Sequence, residues 1–156
     1  MRTSRGFTLI ELLVVIAIIG VLSSVVLASL NTARLRGRDA AVMAGVRQLQ
    51  TLMEINYNDL GTYASLQSSW DYTAADCNNS FTGTHAAAAR LICISIVENG
   101  GALHTGNNVS SANSFSIMGK LPSKTDRYYC VGSSGGTSDD GNGGNGWIDN
   151  GCHGNP

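Results

Sequence analysis

The feature that most limits what this chain can become is an unbroken apolar run, Leu12 to Leu30. It is entered through Gly6-Phe7-Thr8-Leu9-Ile10-Glu11 and preceded by Arg2 and Arg5. Between Phe7 and Leu30 the single charged side chain is Glu11. At about 1.5 Å rise per residue a helix over this run is roughly 35 Å long, enough to cross a bilayer core of about 30 Å. The spacing and composition therefore predict a membrane-spanning helix with one carboxylate near its start. An acid at the centre of such a helix costs about 2.5–3.5 kcal/mol, and less near the interface. One local reason for it is visible. Thr8-x-x-Glu11 has the spacing of a capping box, in which Thr8 is the N-cap and the carboxylate reaches back to its backbone N–H. The helix dipole also favours an anion there.

Beyond the apolar run lies one small domain of roughly 120 residues. Charged residues are 13% of the 156 and the net charge is −1, so the chain as a whole lacks the basic footprint of a nucleic-acid binder. All four cysteines, Cys77, Cys93, Cys130 and Cys152, lie in this domain. An even count in a small exported domain reads as disulfides. Of three connectivities, the sequential one, Cys77–Cys93 with Cys130–Cys152, closes short loops. A metal site is the weaker reading, because there is no Cys-x-x-Cys and His85, His104 and His153 lack ligand spacing.

The first helix should not stop at the membrane. No proline or double glycine intervenes between Leu30 and Asn58. Val42, Val46, Leu49, Met53, Tyr57 and Leu60 recur at three and four residues, an amphipathic stripe whose ordinary use is a core seam. Gly61 suits the C-cap. Residues 64–83 read as an irregular connection anchored by Trp70 and Tyr72. Thr84 is expected to cap a helix, His85 to Glu98, ended by Gly100-Gly101. The alanines before Leu91–Val97 favour helix over strand there. Ser114–Gly119 and Asp126–Val131 read as two strands of an antiparallel hairpin about a Pro122-Ser123 turn, laid over the Val42–Leu60 face. Residues 132–156 read as a surface loop, with Trp147 and Ile148 adding a short strand. The expected fold is α+β: a long N-terminal helix, membrane-spanning in its first half and amphipathic in its second, packed on a small antiparallel sheet domain with disulfides.

Several matches carry little. Gly132-Ser133-Ser134-Gly135-Gly136 fits Gly-x-Ser-x-Gly without the strand-to-helix elbow that exposes a nucleophile. Gly141, Gly143 and Gly146 fit Gly-x-Gly-x-x-Gly with no helix to follow. Asp139, Asp140, Asn142 and Asp149 are oxygen ligands of the type calcium takes, but the EF-hand order is not kept, and a solvated loop is the plainer reading. Asp76-Cys77-Asn78-Asn79-Ser80 has the bacterial form of a glycosylation sequon and Asn108-Val109-Ser110 the general form. No cofactor is expected, and no nucleophile, base and orienting group can be assembled from neighbouring residues. Gly20, Ser24, Ala28 and Thr32 form a small-residue stripe along the first helix, the face on which another helix could approach closely.

Arg5-Gly6-Phe7-Thr8-Leu9-Ile10-Glu11 followed by the apolar helix resembles the class III leader of type IV pilins and type II secretion pseudopilins. Tyr57…Gly61-x-Tyr63 resembles the helix exit of the same superfamily, so the resemblance covers about the first 63 residues. It implies a leader, residues 1–6, that a prepilin peptidase removes by cutting between Gly6 and Phe7, with N-methylation of Phe7. It implies a transmembrane and assembly helix, residues 7–30, continuing as the amphipathic half, residues 31–60, before a globular region, residues 61–156. In that family the Glu11 carboxylate neutralises the Phe7 ammonium of a neighbouring subunit, a pair that is strong in low dielectric and costly unpaired. The implied partners are further copies in a helical filament, the peptidase and assembly machinery, and membrane lipid before assembly. Arg34, Arg36 and Arg38 stand where headgroups would be. They also follow the helix, so counting Lys and Arg does not orient it. The disulfides and the family's peptidase put the N-terminus in the cytoplasm and the assembled fibre at the cell surface. A surface pilus subunit is the leading reading. A pseudopilin of secretion or DNA uptake is the alternative, and a monomeric membrane-anchored binding module another. A secretory signal cleaved after Ala28 would instead release a soluble protein beginning at Ser29.

Overall fold

The computed structural model describes residues 6–63, 73–107, 114–125, 127–133 and 137–141. The chain divides into two compact units, Met1–Leu35 and Arg36–Pro156. Helix α1, Leu9–Leu60, runs through both without a break. Its continuity follows from the absence of proline and of any paired glycine along 52 residues.

In the first unit every described side chain is exposed, including Leu12, Ile16, Val25 and Leu30. In the second unit α1 has an inner face. Val42, Val46 and Leu49 are fully buried, Met53 nearly so, and Tyr57 packs against them half-buried. The expected seam is there, with one correction: Leu60 is 54% exposed and falls outside it. Three residues that the stripe did not include, Asp39, Gly45 and Asn56, are buried on the same helix. Gly45 is small for a reason, since a Cβ there would lie 2.7 Å from Ile96 Cγ1.

The inner face of α1 is covered by a third helix and a sheet. Helix α2 is Ala74–Asn79 and α3 is Ala86–Glu98. Strands β1, Leu103–Asn107, β2, Phe115–Lys120, β3, Tyr128–Gly132, and β4, Thr137–Gly141, form an antiparallel sheet in that order. The core gathers Val42, Val46 and Leu49 of α1, Cys93 and Ile96 of α3, and Phe115, Ile117 and Val131 of the sheet. At Gly119 the sheet comes so close that a Cβ would lie 2.6 Å from Val46 Cγ2.

The helix expected from His85 begins one residue later, with His85 as the N-cap, and Thr84 does not cap it. The His85 side chain makes no capping bond; instead Nε2 lies 3.5 Å from Asp59 Oδ2 at the end of α1. The stretch read as an irregular connection contains α2. Its start carries a complete capping box, with Thr73 and Asp76 bonded in both directions. The expected hairpin is β2 with β3, in which Ile117 faces Val131 and Met118 faces Cys130. Strands β1 and β4 were not expected, and β4 lies in the stretch read as a loop. Leu-His-Thr-Gly-Asn and Thr-Ser-Asp-Asp-Gly have no apolar alternation, and they are the outer strands, held by backbone pairing to a neighbour on one side. Trp70, Tyr72, Asn108, Trp147 and Ile148 lie outside the described residues.

Cys77 of α2 and Cys93 of α3 form the expected disulfide, with a Cα–Cα distance of 5.7 Å and no exposure of either residue. Cys130 is also disulfide-bonded; Cys152, its expected partner, lies outside the described residues.

Candidate functional site: the helix entrance and its exit

The entrance to α1 is built from Gly6, Phe7, Thr8 and Glu11. Phe7 is 86% exposed, and nothing stands within 4 Å of where a Gly6 side chain would be. Thr8 and Glu11 form the capping box that their spacing predicts. The Thr8 backbone N–H and hydroxyl both donate to Glu11 Oε2, at 2.9 and 2.8 Å, and the Glu11 N–H donates back to Thr8 Oγ1 at 3.3 Å. Both Thr8 bonds fall on one carboxylate oxygen. A carboxylate has about four acceptor positions, so the cap leaves capacity for a cation.

Along the helix, Gly20, Ser24, Ala28 and Thr32 are exposed. The Ser24 hydroxyl donates to the Val21 carbonyl at 2.7 Å, so it is satisfied within the helix and presents a small, nearly apolar surface. Among the described residues one helix, beginning at Leu9, is long and apolar enough to cross a membrane.

The exit is a compact aromatic knot. Gly61 takes φ +67°, and its N–H donates to the Tyr57 carbonyl at 2.7 Å, closing the helix in a left-handed cap that glycine adopts without penalty. That reversal stacks Tyr63 on Tyr57 with ring centroids 4.4 Å apart, and sets Tyr63 against Phe115 of β2 at 4.7 Å. The Tyr63 hydroxyl donates to Glu54 Oε2 at 3.1 Å. Burial pushes the Tyr63 phenol up to about 12, and the Glu54 carboxylate, as hydrogen-bond acceptor and as charge, adds to the shift.

Sequence reasoning missed a tether between α1 and the turn after β2. Asp39 Oδ1 accepts the Ser123 backbone N–H at 2.9 Å, and Oδ2 accepts its hydroxyl. The only available signal was an acid set among Arg36, Arg38 and the amphipathic stripe. Arg47 was likewise unassigned. Its Nε donates to the Tyr129 hydroxyl at 2.7 Å, and the guanidinium stands 5.3 Å from that ring's centroid.

The discounted motifs gain nothing from the fold. Ser133 Oγ accepts the Phe115 N–H at 3.3 Å, a strand-end role. Gly141 ends β4, while Gly143 and Gly146 lie outside the described residues. Of the calcium-type set, Asp139 and Asp140 fall on β4, and Asn142 and Asp149 lie outside the described residues. Among the described residues no group of three His, Cys, Asp or Glu side chains could hold a metal ion. Asn78 is exposed on α2, and its side-chain amide donates to the Ala74 carbonyl at 3.2 Å.

Residues 1–27 match the family model of the prokaryotic N-terminal methylation motif. Over 67 residues the chain is 43% identical to the type IV wide pilus major component PilA4 of Thermus thermophilus, a match covering 43% of this chain and 51% of that protein. These matches support the type IV pilin family. The chain spans about half the length of the curated relative it matches, so the pilin likeness is carried by a part of each protein. No solved structure matches it significantly.

Proposed function

We propose that this chain is a structural subunit, a pilin, of a type IV pilus-like filament assembled through α1. The observation that carries this reading is an apolar helix with every described side chain exposed from Leu9 to Leu30, entered through a methylation motif and a capped acid. A surface of that kind is stable only against lipid or against other helices of its own type. In this reading the peptidase cuts between Gly6 and Phe7 and methylates the Phe7 amine. The helix waits in the membrane with its N-terminus cytoplasmic, then is drawn into a bundle. There the Phe7 ammonium of one subunit meets the Glu11 carboxylate of the next and sets their axial register. The Gly20, Ser24 and Ala28 face is the closest helix–helix approach. The chain does no chemistry of its own, and assembly requires no cofactor. A relative named as a pilus component favours the surface pilus over the secretion pseudopilus.

Mass spectrometry of the mature chain is the direct test. An N-methylated Phe7 is expected; an intact Met1 would point to the monomeric anchor, and a terminus at Ser29 to a secreted protein. Glu11→Ala is expected to insert and be processed yet build no filament visible by electron microscopy. Normal filaments from that variant would end the register reading. Chelating calcium is expected to leave filament number and length unchanged.

A further inference from the structure

The sheet has two faces, and the core described above accounts for one of them. Side chains alternate along each strand, so Leu103, Ile117, Tyr129 and Val131 point to the core shared with α1 and α3. Their neighbours point the other way. His104 of β1 pairs with Met118 of β2, and Met118 with Cys130 of β3, which makes one row across three strands. The Tyr128 ring stands edge-on to His104, with centroids 5.2 Å apart. Met118, Cys130 and Tyr128 form a second apolar cluster, which among the described residues no side chain of α1, α2 or α3 joins. An antiparallel sheet with one face in water carries polar side chains there. This row is instead shut off from water: His104 is 5% exposed, Met118 4% and Cys130 not at all. Ser116, on the same face, is buried as well.

We propose that residues 142–156, which lie outside the described residues, dock on this face as a strap, with Trp147 and Ile148 laid over His104, Met118 and Tyr128 and a Cys130–Cys152 disulfide locking them there. The cysteines select the segment. Cys130 is disulfide-bonded while Cys77 and Cys93 hold each other, which leaves Cys152 as the remaining cysteine of the chain. Cys130 is itself a member of the row, so a bond to it fixes the strap beside the face to be covered, since bonded cysteines keep their Cα atoms within about 7 Å. Composition selects the side chains. After Val131 the chain is mainly Gly, Asn, Ser and Asp, and Trp147 and Ile148 are its only large apolar residues. They precede Cys152 by five and four positions. That is a reach of up to about 18 Å, whereas a row across three strands spans about 10 Å. Laying an indole over the row removes from water an apolar surface that other chains would otherwise bind. The polar remainder of the strap then faces outward on this side of the sheet.

The test uses the full chain in detergent micelles, with hydroxyl-radical footprinting and peptide mapping without reductant, both read by mass spectrometry. In the wild-type chain a peptide pair joined through Cys130 and Cys152 is expected. Trp147 should be modified about tenfold more slowly than in the denatured chain, as befits a side chain released only by local opening. Trp147→Ser with Ile148→Ser should raise the modification of Met118 by about the same factor, because the apolar hold on the closed state is lost. Cys130→Ser with Cys152→Ser should raise it as well. Met53, 4% exposed in the main core, should keep its wild-type rate in both variants. Protection of Met118 that survives both variants means that another segment covers the face, and overturns the inference. So does a wild-type Trp147 modified as fast as in the denatured chain, a result that requires no variant to fold. Where a variant exposes Met53 too, the wild-type Trp147 rate decides. A Cys130 joined to a second chain overturns the lock.

Discussion

Tyr63 shows how one side chain at a helix exit can set a pH limit. Its phenol keeps its proton more tightly in the fold than in the unfolded chain, whose tyrosines titrate near 10. The folded pKa is raised, so its contribution to stability is complete below about pH 10 and is lost as pH climbs toward about 12. Thermal melts between those values should show a falling midpoint, and Tyr63→Phe should flatten that fall while removing the bond to Glu54. Asp39 is a different case, a buried acid that makes hydrogen bonds to one residue. Asp39→Ala is expected to cost about 1.5–3 kcal/mol by chemical denaturation, the usual range for a bond to a charged group. Gly119 has no freedom to grow. With Val42 and Val46 already within 3 Å of a built Cβ, Gly119→Ala is expected to cost about 1–3 kcal/mol through overpacking.

At the scale of elements, α2 is too short to stand without help, being 6 residues long. Two devices hold it. One is the Thr73–Asp76 box, where the Thr73 hydroxyl and backbone N–H hold the Asp76 carboxyl below its ordinary value of 3.8. The lowered pKa means that the cap is fully present above that value and is lost as pH falls through the folded one. The other is the Cys77–Cys93 disulfide to α3, with a sequence separation of 16. Replacing both cysteines by serine is expected to cost about 3 kcal/mol, measured by urea denaturation with and without reductant on the wild-type chain. The same element explains a misreading of the sequence. Thr73-x-x-Asp76 uses aspartate where the familiar box uses glutamate or glutamine, and the six residues of the helix contain too few apolar positions to display a period.

Across the whole molecule, each unit has its own solvent requirement. Met1–Leu35 has no buried side chain among its described residues, whereas Arg36–Pro156 encloses a core with its own disulfide. A chain beginning at Arg36 is therefore expected to be soluble and monomeric by size-exclusion chromatography, with no free thiol by titration. The intact chain is expected to require detergent or lipid. Aggregation of the shortened chain would show that its fold depends on the residues removed.

The helix entrance was legible because its signals are local. A capping box, an apolar run and an amphipathic stripe each depend on spacing within a few turns, and Thr8, Glu11, Val42 to Met53 and Gly61 behave as their spacing dictates. The central hairpin was legible for the same reason, since Phe115 and Ile117 alternate with Ser114 and Ser116 and a Pro122-Ser123 turn follows. The sheet's outer strands were not, because Leu103–Asn107 and Thr137–Gly141 show no apolar alternation, although Leu103, His104 and Thr105 of β1 are buried. The same holds for the contacts that join distant parts of the chain. Asp39 with Ser123, and Arg47 with Tyr129, lie more than eighty residues apart in sequence. Nothing in either segment names the other; only the packing of α1 on the sheet brings them within hydrogen-bond reach.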